Sequence, residues 1–440
     1  MVGLSRRQVL GAGLGLAGLT ACGDISAREP QRFIPPARPG QKVHLTYWSW
    51  LKDLQKVCDI WNERHPDVEV EAVWIPVGNA GGYQRLFSSL AAGGGPDLAQ
   101  VELRQIPAFL LVDGMVDLSR YGARQHAREY DEAVWNQVVF DRGIYGLPQD
   151  SGPCGFFYRA DVMREVGGAP PATWAEWAEL ARRYREADKY LEVFSLGDTS
   201  LFASLAAQAG ARWFRVEDDG WVVDMTDEAT TRVAEFFDAA IDDDLVDVSV
   251  DALSTGWVAA AASGRIGAVT NGSWADALLA EVGGTEGLWR VAPMPTWGPA
   301  GFGSAQNGGS SVSVLRNCEH PKEAVDFALW MTTTREGIDA MIEHCGIGWS
   351  PAAGYIGQSR REPSEFFGGQ RYNQEVFAPA AQQQNERWIW SPTTQQTFNV
   401  LGDGFREKIT GESSIVEACR VAQDETVAML RNEGLKVRAA

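Results

Sequence analysis

Histidine and basic charge are scarce in this chain. The five histidines, His44, His65, His126, His320 and His344, are scattered without metal-ligand spacing, and no C-x-x-C occurs. The sequence therefore offers no metal site and no dithiol redox motif. Lysine and arginine total 39 against 58 acidic residues, a formal charge of -19. Setting aside residues 1 to 21, which carry Arg6 and Arg7 but no acid, leaves 37 basic residues against the same 58, or -21. That balance disfavours a polyphosphate partner, nucleic acid included. Beyond the N-terminus no run reaches the roughly 20 apolar residues needed to cross a bilayer. There is no G-x-S-x-G elbow and no assignable acid and nucleophile pair, so a glycoside hydrolase is the weaker alternative and no catalytic residue or cofactor is assigned. What is present is 440 residues, 45% apolar and 22% charged, enough for two core-bearing units.

The N-terminus is more specific. Arg6 and Arg7 precede the apolar run Val9 to Thr20, which has signal-peptide length and resembles a twin-arginine export signal. The run ends in LTAC, similar to a bacterial lipobox, which makes Cys22 the expected lipidation site and membrane anchor. Gly13, Gly15 and Gly18 match G-x-G-x-x-G, but with no strand before them the match is discarded. Residues 22 to 41 follow as a proline-bearing tether with Pro30, Pro35, Pro36 and Pro39. Without Cys22, five cysteines remain, an odd number, and Cys318 with Cys345 is the expected disulfide.

Periodicity outlines two α/β units. Val43 to Trp48 reads as a strand; Leu54, Val57, Cys58 and Trp61 follow at helical spacing until His65-Pro66. Val68, Val70, Ala72 and Trp74 alternate as a second strand, a helix around Leu86, Phe87 and Leu90 breaks at GGGP, and Leu98 to Val101 starts a third strand. That order predicts a largely parallel sheet, whose ligands bind beyond the carboxyl ends of the strands. Asp97 is expected to cap backbone N–H groups beside Pro96. A second unit begins near Phe156 to Tyr158, and Thr173 with Glu176 spells a capping box for its first helix. Trp61, Trp177 and Trp330 sit at helix-core spacing. The stretch GRIGAVTNGSW, 264 to 274, is a short strand running into a turn that carries an indole; Asn271-Gly272-Ser273 reads as turn chemistry rather than a glycosylation site.

An ordered set of segments then carries a resemblance: YWSW near 47 to 50, AAGGGPDL, GIYGLPQD with FFYRADV, PATWAEW, ASGRIGAVTNGSW, NGGSSVSV and HPKEAVDFALWMTT. Across residues 42 to 435 the chain resembles the family 1 extracellular solute-binding proteins, the maltose-binding-protein-like receptors of ABC sugar importers. The resemblance implies an α/β fold of two α/β lobes joined by three crossovers, of the type II periplasmic-binding-protein kind, with the ligand in the cleft between them. Lobe 1 would comprise 42–150 plus 297–350 and lobe 2 would comprise 151–296 plus 351–440. The crossovers would fall at Gln149 to Cys154, Pro293 to Trp297 and Ile347 to Tyr355. It further implies a monomer that captures a carbohydrate, hands it to membrane permease subunits and stands lipid-anchored on the extracytoplasmic face of the membrane. By position the ligand residues would be Trp48, Trp50, Glu102, Arg104, Asp150, Asp198, Thr199, Trp274, Gly308, Gly309 and Trp388 or Trp390. Trp274 would stack on the C–H face of a sugar; its alternative is an aromatic packed on the core. A neutral di- or oligosaccharide is the leading ligand. The acids Glu102, Asp150, Asp198 and Asp276 raise an amino sugar, and a glycerol phosphodiester remains open.

Overall fold

The computed structural model describes residues 32–440 apart from 79–80, 218–219, 300 and 356–359. The segment expected to be an export signal, Cys22 and the first part of the expected tether lie outside the described residues.

The first lobe is built as the hydrophobic pattern demands. In β1 (Val43–Ser49) every second residue is buried, so Val43, Leu45 and Tyr47 face the layer formed by α1 (Leu54–Arg64), whose Leu54, Val57, Cys58 and Trp61 are its buried stripe. β2 (Val68–Trp74), α2 (Gly82–Ala91), β3 (Leu98–Glu102) and β4 (Leu147–Asp150) follow. The second lobe contains β5 (Cys154–Arg159), α3 (Trp174–Glu186), α4 (Thr199–Ala209), α5 (Glu228–Asp242), β6 (Ala268–Gly272) and β7 (Trp289–Pro293). The chain then returns to the first lobe with β8 (Ser310–Val314), α6 (Pro321–Thr333) and α7 (Arg335–Cys345). It ends on the second with α8 (Thr394–Thr410) and α9 (Ile415–Asn432).

Two main sheets result. The first has the order β2-β1-β3-β8-β4; β1 pairs parallel with β2 and β3, while β8 runs antiparallel to β3 and β4. The second, β6-β5-β7, is antiparallel throughout. The expected parallel direction therefore holds for β2, β1, β3 and β4, and β8 alone is reversed, because it returns from the other lobe and enters from the opposite end.

The capping box forms: Thr173 Oγ1 accepts from the Glu176 N–H at 3.2 Å, and the Glu176 carboxylate reaches back to the Ala172 N–H at 2.7 Å. Asp97 departs from expectation. It accepts from the backbone N–H and hydroxyl of Thr46 at 2.9 and 3.1 Å, tying β1 to the start of β3. Cys318 and Cys345 are both free thiols, as are Cys58, Cys154 and Cys419, so the expected disulfide is absent. The cause is placement: Cys318 is buried in the loop before α6, beside Asp97, whereas Cys345 ends α7 next to Asp53.

The three passages between the lobes run side by side. β4 leads into β5 through Ser151-Gly152-Pro153. Against it lies the strand-like stretch 304–309, with Cys154 N–H donating to the Ala305 carbonyl and Asn307 N–H to that of Gly152, both 2.9 Å. The third touches from the other side, where Ser151 N–H meets the Trp349 carbonyl at 3.2 Å. The second passage thus falls later than Pro293 to Trp297. Pro293 still pairs in β7, Thr296 N–H bonds the Ala172 carbonyl, and Phe302 N–H bonds that of Gln208. Those prolines strap the second lobe, and the Gly/Ser-rich loop makes the crossing.

One buried acid sets a pH response. Glu192 lies beneath β6, accepting from Trp177 Nε1 at 2.5 Å, from Thr270 Oγ1 at 3.2 Å and from the Thr270 N–H, with no cation beside it among the described residues. Burial pushes its pKa up from 4.5 to about 7, partly offset by the Trp177 and Thr270 donors. A carboxyl whose folded pKa is raised costs stability once ionised. That cost is absent below the unfolded value and grows as pH rises from 4.5 to 7, to roughly 3 kcal/mol. Thermal unfolding of the Glu192→Gln variant is expected to show a flatter pH dependence across that window than the native chain.

Candidate functional site

The carboxyl ends of β1 and β3, the start of β8 and the end of β4 converge on one edge of the first lobe, so the side chains placed there face the second. Behind them is a polar network. Tyr47 OH donates to Gln149 Oε1 at 2.6 Å, Ser49 Oγ to Gln100 Oε1 at 2.7 Å, and the Gln100 and Gln149 amides donate to Ser310 Oγ at 3.0 and 3.1 Å. Ser310 in turn gives its N–H and hydroxyl to Asp150, at 2.7 and 2.5 Å. Burial raises the Asp150 pKa and the Ser310 donors oppose that rise, so this carboxylate is fixed in place rather than free to pair with a cation.

Glu102 and Arg104 form the centre of this edge. The guanidinium grips the carboxylate through Nε and Nη2 at 2.9 to 3.1 Å, and Tyr83 OH adds a bond at 2.8 Å. Only 10% of the Arg104 side chain and 19% of the Glu102 side chain are exposed. Burial works against the Arg104 charge, yet Glu102 keeps its pKa above the ordinary arginine value. Trp50 stands edge-on to Tyr83 at 6.1 Å and completes the group. Replacing Arg104 with alanine would leave Glu102 as a largely buried charge without its cation. Denaturant unfolding is expected to show a loss of about 3 kcal/mol, mostly recovered when Glu102→Gln is added. The guanidinium of Arg85 lies over the Trp48 ring at 4.2 Å.

The facing wall comes from α4 and α8. Asp198 is the N-cap of α4, accepting from the Ser200 N–H at 3.1 Å and from its hydroxyl. Thr199 is 5% exposed and its hydroxyl donates to the Phe398 carbonyl at 3.4 Å, so it anchors α4 to α8. Between these walls is a cavity of ≈ 290 Å³, lined by Arg104 on one side and by Asp198, Ser200, Gln395, Phe398, Asn399, Asp403 and Arg406 on the other. Gln395 bridges the lobes, its carbonyl oxygen 3.3 Å from Arg104 Nη1, and Arg104 lies over the Phe398 ring at 5.4 Å. A narrower hollow of ≈ 30 Å³, with Trp388, Trp390, Gln137, Gln306 and Ser204 in its walls, adjoins it through the Trp390 and Phe398 rings, 6.1 Å apart. Trp390 Nε1 donates across the lobes to Gln137 at 3.2 Å, whereas Trp388 packs on Trp213 at 5.4 Å.

Trp274 follows β6 directly. Its indole is half-buried, and Nε1 donates to the Asn307 carbonyl in the second passage at 2.8 Å. Gly308 makes this possible: its φ is +86°, and a Cβ there would sit 2.8 Å from the indole nitrogen. Gly309, at φ +101°, has the Gln306 amide and Leu103 within 3.0 Å of such a Cβ. Both glycines make room for protein at these positions. Asn271 is 1% exposed and bonds the Asn307 amide and the Gly272 N–H, in keeping with a turn. Asp276 leaves the site: 2% exposed, it pairs with Arg360 and accepts from Tyr372 OH at 2.7 Å. The residues sequence reasoning missed are the polar side chains of α8 and Ser200. Asp198 followed by Thr-Ser does signal a helix start, but nothing in the sequence says what α8 faces.

A family model described as bacterial extracellular solute-binding protein matches residues 47–338. A lactose-binding protein of Rhizobium radiobacter is 24% identical over 349 residues, 74% of this chain and 79% of that one. An arabinooligosaccharide-binding protein of Bacillus subtilis (strain 168) is 23% identical over 322 residues, 67% and 70% of the two. Among solved structures, the galacto-N-biose/lacto-N-biose I-binding protein of an ABC transporter from Bifidobacterium longum, in complex with lacto-N-biose, superimposes with a TM-score of 0.81. It shares 25% identity over 91% of this chain and 100% of that one. With two lobes, three adjacent passages and a polar cavity between the lobes, the chain belongs to the bacterial extracellular solute-binding proteins.

Proposed function

We propose that this protein is the sugar-capturing component of an ABC carbohydrate importer, holding a neutral di- or oligosaccharide between its lobes and delivering it to membrane permease subunits. The observation that carries the reading is the cavity spanned by Arg104 and Gln395, whose lining is hydroxyl, amide and already-paired charge with one aromatic face, Phe398. Such a surface can trade hydrogen bonds with a ring of hydroxyls. Micromolar capture needs only about 8 kcal/mol, within reach of a few charge-assisted hydrogen bonds at ~1.5–3 kcal/mol each with stacking added. The relatives named for lactose, arabinooligosaccharide and lacto-N-biose support the same class.

An amino sugar is less well served. Its ammonium would need an uncommitted carboxylate, and Glu102 is held by Arg104, Asp150 by Ser310, Asp198 by Ser200, Asp403 by Arg406 and Asp276 by Arg360. We place the first lobe at 42–150 with 304–350 and the second at 151–303 with 351–440. The mature chain would act as a monomer outside the cytoplasm, anchored through lipid on Cys22, with lobe closure presenting the loaded form to the permease. A thermal-shift panel of lactose, lacto-N-biose, arabinooligosaccharides, glucosamine and glycerophosphodiesters tests this. A neutral saccharide should raise Tm most and be recovered intact. Turnover of that saccharide, or a shift only with phosphodiesters, would contradict the reading.

A further inference from the structure

Most of the 17 tryptophans have a use in the fold, but Trp74 has none that packing explains. It ends β2, is 61% exposed, and sits three residues from Val77, itself 53% exposed. On the other face of this edge strand the exposed positions are charged, Glu69 and Glu71, both bound to His44, as an edge strand ordinarily requires; Trp74 ends the face that carries Val70 and Ala72. Among the described residues no aromatic ring lies against Trp74.

Its location is informative. β2 is the edge of the first sheet, and β8 and β4, which carry two of the three passages, lie at the opposite end of the order. Trp74 is therefore at the open side of the cleft, away from the hinge. It stands in register with Ser49, the last residue of β1, and Ile75 N–H bonds the Ser49 carbonyl at 2.9 Å, so it lies at the carboxyl end of its strand, level with the end of β1. Its strand is two strand spacings, about 10 Å, from the one carrying Glu102. An exposed aromatic at this lip shares the carboxyl-end edge of the sheet with Glu102.

We propose that Trp74 is the floor of an outer subsite that stacks on the sugar residues of an oligosaccharide projecting from the cleft. The subsite rests on the carbohydrate reading above and adds chain-length preference to it. Disaccharides fill the inner cavity without touching Trp74, whereas longer chains reach it.

Calorimetry of the mature chain and its Trp74→Ala variant, with arabinobiose against arabinotetraose and lactose against lacto-N-tetraose, tests the subsite. The variant should bind the tetrasaccharide about ten-fold more weakly, the order expected of one aromatic stack, and the disaccharide unchanged; Trp74→Phe should restore most of the difference. Equal affinities of both proteins for the tetrasaccharide, an equal loss for both chain lengths, or binding of disaccharides alone would overturn the outer subsite and leave the carbohydrate reading standing. No binding of any of the four sugars by the native chain would overturn both.

Discussion

Alanine in place of Trp274 should weaken saccharide binding by about a hundred-fold, the effect of removing an aromatic anchor at the centre of an interface. Trp274 lies beside the passages between the lobes, partly exposed, with its indole N–H edge against Asn307 and Gly308. The indole N–H pins β6 to the second passage, and on the proposed reading the exposed part of the ring would meet the C–H side of a sugar. The two are separable. Phenylalanine keeps a ring and loses the bond to the Asn307 carbonyl, so Trp274→Phe should retain more affinity than Trp274→Ala. Titration calorimetry reads the affinities and circular dichroism melting checks folding. If both variants bound sugar like the native chain while melting lower, Trp274 would be a packing residue only.

A second large effect is expected from a single methyl group in the hinge. A Cβ built on Gly152 would stand 1.9 Å from the Asn307 carbonyl oxygen, a backbone atom that no rotamer change can move. Gly152→Ala should therefore break the bond from the Asn307 N–H to the Gly152 carbonyl, separate the first two passages and cost roughly 3 kcal/mol, the upper part of the range for overpacking. Affinity should fall with it, because the passages fix how the lobes meet. Gly94 has open space around its missing side chain and a φ outside the left-handed region, so Gly94→Ala serves as the control with little change in denaturant midpoint. A Gly152→Ala protein as stable as the Gly94→Ala protein would show that the passages are not closely apposed in solution.

Much of the first lobe was readable because its local signals agree. The Leu54, Val57, Cys58, Trp61 stripe and the alternation of β2 each need one face buried, and the Thr173 and Glu176 pair sets a helix start from four residues. The site was readable where chemistry and chain geometry coincide: Asp198 caps α4 and so lies at its exposed end, and Trp274 follows a strand that must stop. Where partners come from afar, the sequence was silent. Arg104 and Gln395 are 291 residues apart, and Asp276 looked like a cleft acid until Tyr372, 96 residues on, supplied its partner. Trp48 and Trp50 share the composition of one motif, yet β1 ends at Ser49 between them, and Arg85 lies over one while Tyr83 stands beside the other. The prolines of the second crossing misled for a related reason, since a proline-rich strap and a hinge have the same composition and differ only in what they lie against.

The most direct measurement is a crystal structure of the mature chain grown with the saccharide that stabilises it most. Sugar hydroxyls within hydrogen-bond distance of Arg104 from one lobe and of Asp198, Ser200 or Gln395 from the other, with an intact glycosidic bond, is the expected result. Sugar bound outside the space between the lobes, or that space closed by side chains with Trp274 wholly covered, would contradict it.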